Sequence, residues 1–146
     1  MLGAPYDWAT VQFPLNVVDA HLTDGFQSRI FSECRRRRIG MIGMKSLAAN
    51  DGRIPTELKL NAELCRQYVM SLPISSLIAG MQTREQLHRM IEVTRDFQPL
   101  DAERLGALLG GSKDVEDILF MEGYKDRTGP FGCTHHAAVY SAEQAS

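Results

Sequence analysis

The sequence predicts an α/β protein built from parallel βα units, on three observations. Short β-rich apolar segments recur about 30 residues apart, the spacing of right-handed parallel crossovers. Amphipathic helical patterns fill the intervals between them. Polar residues stand just past the carboxyl ends of these segments, where parallel α/β folds place their ligands.

The first segment, Trp8 to Phe13 (WATVQF), is rich in β-formers and stops at Pro14, which cannot continue a ladder. Gln12 falls at its carboxyl end and Asn16 just beyond. A helix is predicted from about Asp24 to Arg37, with Phe26, Ile30, Phe31 and Cys34 on one face. Arg35 to Arg38 crowd its last turn, where cations suit the negative end of the helix dipole. Ile39 to Met44 is a short apolar run closed by Lys45 and Ser46, and reads as a buried parallel strand.

Ala49 to Arg53 reads as a loop, with Pro55 close behind it. The helix predicted from about Asn61 to Leu72 carries a stripe of Leu64, Cys65, Tyr68, Val69 and Leu72, and Pro73 marks its end. Ile74 to Ala79 is the third strand, followed by Gly80. Thr83 with Gln86 three residues later is a capping-box signature. It opens a helix to about Phe97, whose inner face is expected to be Leu87, Met90, Ile91 and Thr94. Asp101 starts a short helix through Leu105, Leu108 and Leu109, closed by Gly110-Gly111. Residues 1–111 therefore read as the βα units. Residues 112–146 read as a turn-rich, partly disordered tail, with Val115, Ile118 and Leu119 fitting a helical turn or two.

Composition excludes several classes. With 44% apolar and 23% charged residues among 146, wholesale disorder is excluded. A net charge of −2 gives no electrostatic case for nucleic acid or an anionic membrane. No apolar run approaches the roughly 18 residues of a membrane span, and the opening residues lack a secretory pattern. Cys34, Cys65 and Cys133 are odd in number and without a spacing pattern, which favours free thiols and a cytoplasmic location.

Three segments together resemble the carboxyl-terminal part of the aldo/keto reductase family, (β/α)8 barrels that move hydride between NADPH and a carbonyl. Val11 to Asn16 (VQFPLN) is similar to the sixth barrel strand. Ile39 to Ala48 (IGMIGMKSLA) resembles the seventh, and Ile78 to Leu87 (IAGMQTREQL) the eighth with the helix it feeds. The resemblance runs from roughly Tyr6 to Leu109 and implies a partial TIM-type barrel of about three parallel strands. It implies a cofactor site for NADP(H), with NAD as the alternative. Gln12 matches the residue that bonds the nicotinamide carboxamide, and Met44 the position that stacks on the ring. Lys45 and Ser46 fall where the family approaches the pyrophosphate. Gly80, Met81, Gln82 and Thr83 correspond to the turn at the adenosine phosphate end, and a capped helix start suits an anion there. Gln86 is retained. Arg89 and Met90 stand where many relatives have Glu-Asn; Arg89 is the candidate for a ribose 2′-phosphate.

The family's catalytic Asp, Tyr, Lys and His belong to the first half of a barrel of roughly 250 residues, and none maps onto this chain. Tyr6, Tyr68, Tyr124 and Tyr140 stand in no matching context for a catalytic acid. The resemblance thus implies no catalytic residue and an inactive chain by itself, the small carbonyl substrate being a matter for the complete barrel. Two other classes stay open. One is a non-catalytic assembly module that pairs with another copy or chain through open sheet edges. The other is a metal-binding protein using Cys133, His135 and His136, against which the lack of a second ligand cluster tells. Asp19 and His21 are close enough to polarise one another, but no nucleophile accompanies them, which favours a structural role.

Overall fold

The computed structural model describes residues 6–23, 25–48, 52–113 and 122. The chain divides into two units, Met1–Val115 and Glu116–Ser146. Every described helix and strand belongs to the first. The expectations for Val115, Ile118, Leu119, Tyr124, Cys133, His135, His136 and Tyr140 lie outside the described residues.

Three parallel strands, β1 (Thr10–Pro14), β2 (Gly40–Met44) and β3 (Ser76–Leu77), form one sheet in the order β1-β2-β3. Between β1 and β2 runs α1 (Phe26–Arg37), preceded by a 3-10 turn at Asp19–His21. Between β2 and β3 come α2 (Arg53–Leu58) and α3 (Ala62–Met70). The helices α4 (Arg84–Arg95) and α5 (Ala102–Gly111) follow β3. None of these is long and apolar enough to cross a membrane.

Strand alternation decides which face of the sheet is covered. Val11, Phe13, Met41 and Gly43 point to the buried face, while Thr10 and Gln12 are exposed and Ile42 and Met44 half-buried on the other. The Phe13 ring centroid lies 6.1 Å from those of Phe26 and Phe31, so α1 packs on the buried face. The third helix covers the same face. A Cβ on Gly43 would stand 3.3 Å from Val69 Cγ1 and from Ile74 Cδ1, so a side chain there would push α3 back from β2 by a few tenths of an ångström. Val11, Phe13, Leu15, Val17, Ile39, Met41, Ile54, Cys65 and Val69 are buried and form the core. Each large apolar side chain buried in this way contributes roughly 1.5–3 kcal/mol.

Local chemistry explains the element ends. Arg38 closes α1 in a left-handed conformation (φ 56°), and its run of arginines is held at the surface. Arg36 makes a forked contact with Glu33, at 2.7 and 3.0 Å, and Arg37 donates to the Tyr6 carbonyl. Asn61, Thr83 and Asp101 cap α3, α4 and α5 by accepting from Leu64, Gln86 and Arg104 N–H groups.

Four expectations change. The first strand begins at Thr10 and runs through Pro14; among the described residues its outer edge is unpaired, so a missing N–H costs no ladder bond there. The predicted loop before Asn61 contains α2, where Pro55 lies in the first turn and its missing N–H is no loss. The third strand shrinks to two residues, and among the described residues no strand lies beyond it. Finally, Leu87 and Ile91 are each 43% exposed and do not form an inner face of α4.

Candidate ligand cleft

Parallel pairing levels the carboxyl ends of the strands. Leu15 N–H donates to the Met44 carbonyl at 2.9 Å, and Ile78 N–H to the Gly43 carbonyl at 2.8 Å. The residues that follow β2 and β3 therefore emerge on one rim.

After Met44 the chain turns sharply. Lys45 and Ala48 both take left-handed conformations (φ 54° and 66°), and Ala48 N–H closes the turn onto the Lys45 carbonyl at 2.9 Å. Left-handed non-glycine residues are strained, and two of them within four positions mark this turn as shaped for more than connection. The turn sets Ser46 inward at 4% exposure, with Lys45 half-buried beside it.

From the opposite side α3 contributes Arg66, only 8% exposed. Its Nη2 donates to the Gly80 carbonyl at 3.1 Å, while its Nε is buried with no partner. None of the ion pairs among the described residues involves it. Burial lowers the pKa of this guanidinium; the nearby Glu63 and Cys65 oppose the shift weakly.

The third wall is the start of α4. Gln86 N–H donates to Thr83 Oγ1 at 3.2 Å, and Gln86 Oε1 accepts from Gln82 N–H at 2.7 Å. The pattern is a capping box shifted by one residue. The Glu85 carboxyl is held below the usual carboxylate range by its own backbone N–H and then by the Thr83 hydroxyl. The helix start thus already has an anion of its own.

These walls enclose a cleft of about 180 Å³. Two cations, Lys45 and Arg66, line it together with Ser46, Gly80, Gln82 and Gln86, and its other described lining residues are Leu47, Ala48, Gly52 and Ile78. No His, Cys, Asp or Glu is among them, and no described cluster of such residues is able to hold a metal ion. The cleft has the chemistry to bind an anion. Its described lining residues include no nucleophile–base pair with which to transform one.

Of the residues singled out in the sequence, Lys45, Ser46, Gly80, Gln82 and Gln86 meet in this cleft. Gln12 and Met44 sit together on the open face of the sheet, with Gln12 Nε2 3.0 Å from Met44 Sδ. Thr83 caps α4 between two lining residues. Met81 is 39% exposed and lines a separate apolar groove with Leu87, Met90 and Ile91. Arg89 Nη1 pairs with Glu63 Oε1 at 3.1 Å and is not a lining residue of the cleft. Sequence reasoning missed Arg66. The available signal was a charged residue three positions before the buried Val69, hence on the packed side of the helix.

No family model, no curated protein and no solved structure matches this chain.

Proposed function

We propose that the chain is the cofactor-side portion of an aldo/keto reductase-like oxidoreductase, a segment of a (β/α)8 barrel that grips NADP(H) at the carboxyl rim of its last strands. One observation carries this reading. Lys45, Ser46, Gly80, Gln82 and Gln86, assigned to the dinucleotide from sequence motifs alone, line a single cleft. Two crossovers packed on one face of a parallel sheet, with two open edges, also suit a barrel segment.

The nicotinamide ring, when bound, supplies the hydride. This chain's own residues bind and orient it: the cationic side chains of Lys45 and Arg66 suit a pyrophosphate, and a carboxamide and a thioether on the sheet face suit the ring. Tyr68 is not a proton donor for substrate in this reading. Its hydroxyl donates to Gln27 Oε1 at 2.8 Å, and burial raises its pKa instead of lowering it.

The test is a titration of the full chain with NADPH, followed by nucleotide fluorescence and calorimetry. Binding is expected, weakened about tenfold, or about 1.4 kcal/mol, by Lys45→Ala. Absence of binding at millimolar NADPH sinks the reading.

A second reading is favoured by a different observation. Among the described residues both β1 and β3 pair on one side only, and the face carrying Thr10, Gln12 and Ile42 is not buried. Parallel sheets are ordinarily covered on both faces. As an assembly module the chain pairs these edges with another copy, and sedimentation velocity then shows a concentration-dependent oligomer.

A further inference from the structure

The segment after β3 presents alternate residues to the cleft. Ile78, Gly80 and Gln82 line it, while Met81 lines the separate apolar groove beside Leu87 and Ile91. This is the two-residue period of a strand carried past its last ladder pair, and a slip of one residue would exchange the two sets. Ala79 and Met81 would then take the places of Gly80 and Gln82. Both ends of the segment are tied: Ile78 N–H donates to the Gly43 carbonyl at 2.8 Å, and Gln82 N–H to Gln86 Oε1 at 2.7 Å. Between them Arg66 Nη2 donates to the Gly80 carbonyl at 3.1 Å.

Side-chain packing does not hold the middle of the segment. Gly80 is exposed, and a Cβ there would meet nothing within 4 Å. Arg66 by contrast is 8% exposed, and its Nε is buried with no partner. A buried guanidinium left partly unsatisfied costs stability, so it is a poor choice for a residue that only fills the side of α3. We propose that Arg66 is the positioning residue of the cleft: from α3 it grips the Gly80 carbonyl and holds the segment in the register that turns Gly80 and Gln82, and not Met81, toward a bound nucleotide. The grip is a hydrogen bond to a neutral carbonyl and does not depend on the charge of what binds. A guanidinium gives that bond a fixed direction, which the point charge of a lysine holds less well.

The role of Arg66 rests on the nicotinamide reading only for the identity of the nucleotide. The full chain is compared with Arg66→Met, which keeps the stem and removes the donors, and with Arg66→Lys, which restores one. Nitrogen-15 relaxation reads the segment without any nucleotide. Order parameters of Gly80, Met81 and Gln82 are expected near about 0.85 in the parent and below about 0.6 in Arg66→Met, with those of Met41 and Gly43 in β2 unchanged. Arg66→Lys is expected to recover part of the loss. NADPH, titrated by calorimetry, is expected to bind Arg66→Met about tenfold more weakly than the parent, with Arg66→Lys between them. The urea midpoint of Arg66→Met is expected to be no lower than that of the parent, since Gly80 is exposed and the unpaired Nε is gone. Should Arg66→Met fail to fold, the parent answers alone: its Arg66 Nη resonances are expected to be separated by hindered rotation, and averaged resonances overturn the proposal.

The two claims fail separately. Order lost at Gly80 to Gln82 in Arg66→Met, with no NADPH binding by any of the three proteins, removes the nicotinamide reading and keeps Arg66 as the residue that sets the segment. Unchanged order there, or NADPH binding that is equal in the parent and Arg66→Met, overturns the role of Arg66 and leaves the nicotinamide reading to its own titration.

Discussion

The carboxamide of Gln12 lies 3.0 Å from the sulfur of Met44, bridging β1 and β2 across the open face of the sheet. Sulfur is a weak acceptor, so this contact holds the carboxamide in place without satisfying it. Gln12 is exposed, and its backbone partner in the register is Ile42, two residues before Met44. Gln12 and Met44 therefore form a small polar and polarisable platform near the rim where the cleft opens.

A prediction follows for Gln12. On the nicotinamide reading, Gln12→Ala weakens NADPH binding about tenfold, the worth of about one hydrogen bond. The same change leaves the urea midpoint within about 0.5 kcal/mol of the parent, because the side chain is exposed and its one partner is weak. Calorimetry and urea melts of the variant check both halves. Unaltered NADPH affinity removes Gln12 from the site.

Asp19 caps the start of α1 from outside the helix. The residue at the helix start, Gly25, has no side chain with which to cap it. Asp19, buried in the preceding 3-10 turn, reaches over instead. Its Oδ1 accepts from Phe26 N–H and its Oδ2 from Gln27 N–H, both at 2.9 Å. Gly25 is glycine for the same reason: a Cβ there would stand 2.8 Å from the Asp19 carbonyl and 2.9 Å from its Oδ1. Asp19→Ala is expected to cost roughly 2 kcal/mol in urea unfolding, the upper end for a lost cap. Asp19→Asn should cost less, since one acceptor survives. A loss under about 0.5 kcal/mol for Asp19→Ala would show that the cap is dispensable.

That cap also shows where the sequence stops being readable. The three βα units were legible because each signal is local: the run Ile39 to Met44, the stops at Pro14 and Pro73, and the 3.6-residue spacing in α1 and α3. Lys45, Ser46, Gly80, Gln82 and Gln86 were named from motifs at the strand ends, and they share one cleft. Asp19 was not, because the cap comes from seven residues upstream, and only the fold of the 3-10 turn brings it there. His21 likewise turns to Ser112 Oγ, 3.0 Å away, and not to Asp19. The six residues of α2 lack a side-chain cap and contain Pro55, so they carried a loop signature. The exposed side of α4 depends on what lies beyond β3, and no helical period encodes that.

Leu87 and Ile91 supply a prediction of the opposite sign. Both are 43% exposed and line an open apolar groove with Met81 and Met90. In the monomer, Leu87→Gln with Ile91→Gln should leave the melting temperature within a few degrees, because little apolar burial is lost. On the assembly reading the same pair of changes shifts the sedimentation profile toward monomer. A fall in stability of more than about 2 kcal/mol would show that these side chains pack against the chain itself.

Cys65 makes the pH dependence of stability predictable at the alkaline end. It is fully buried on the packed side of α3, and burial pushes its thiol pKa up from 9.0 to about 12, with the Arg66 charge opposing. In the unfolded chain the thiol ionises near 9, while in the folded chain it stays protonated. The folded state therefore holds the extra proton above pH 9, and stability falls as pH rises. The contribution is fully present below pH 9 and is lost by about pH 12. Tyr68, whose hydroxyl is also raised by burial, acts in the same direction. Urea midpoints should decline from pH 9 upward, and Cys65→Ala should flatten part of that decline. At pH 8, where the thiolate is the reactive form, iodoacetamide should leave Cys65 untouched in the native chain and modify it readily in urea. A native Cys65 that alkylates as fast as a free thiol, or a midpoint that stays level through the alkaline range, would mean that this thiol is not enclosed.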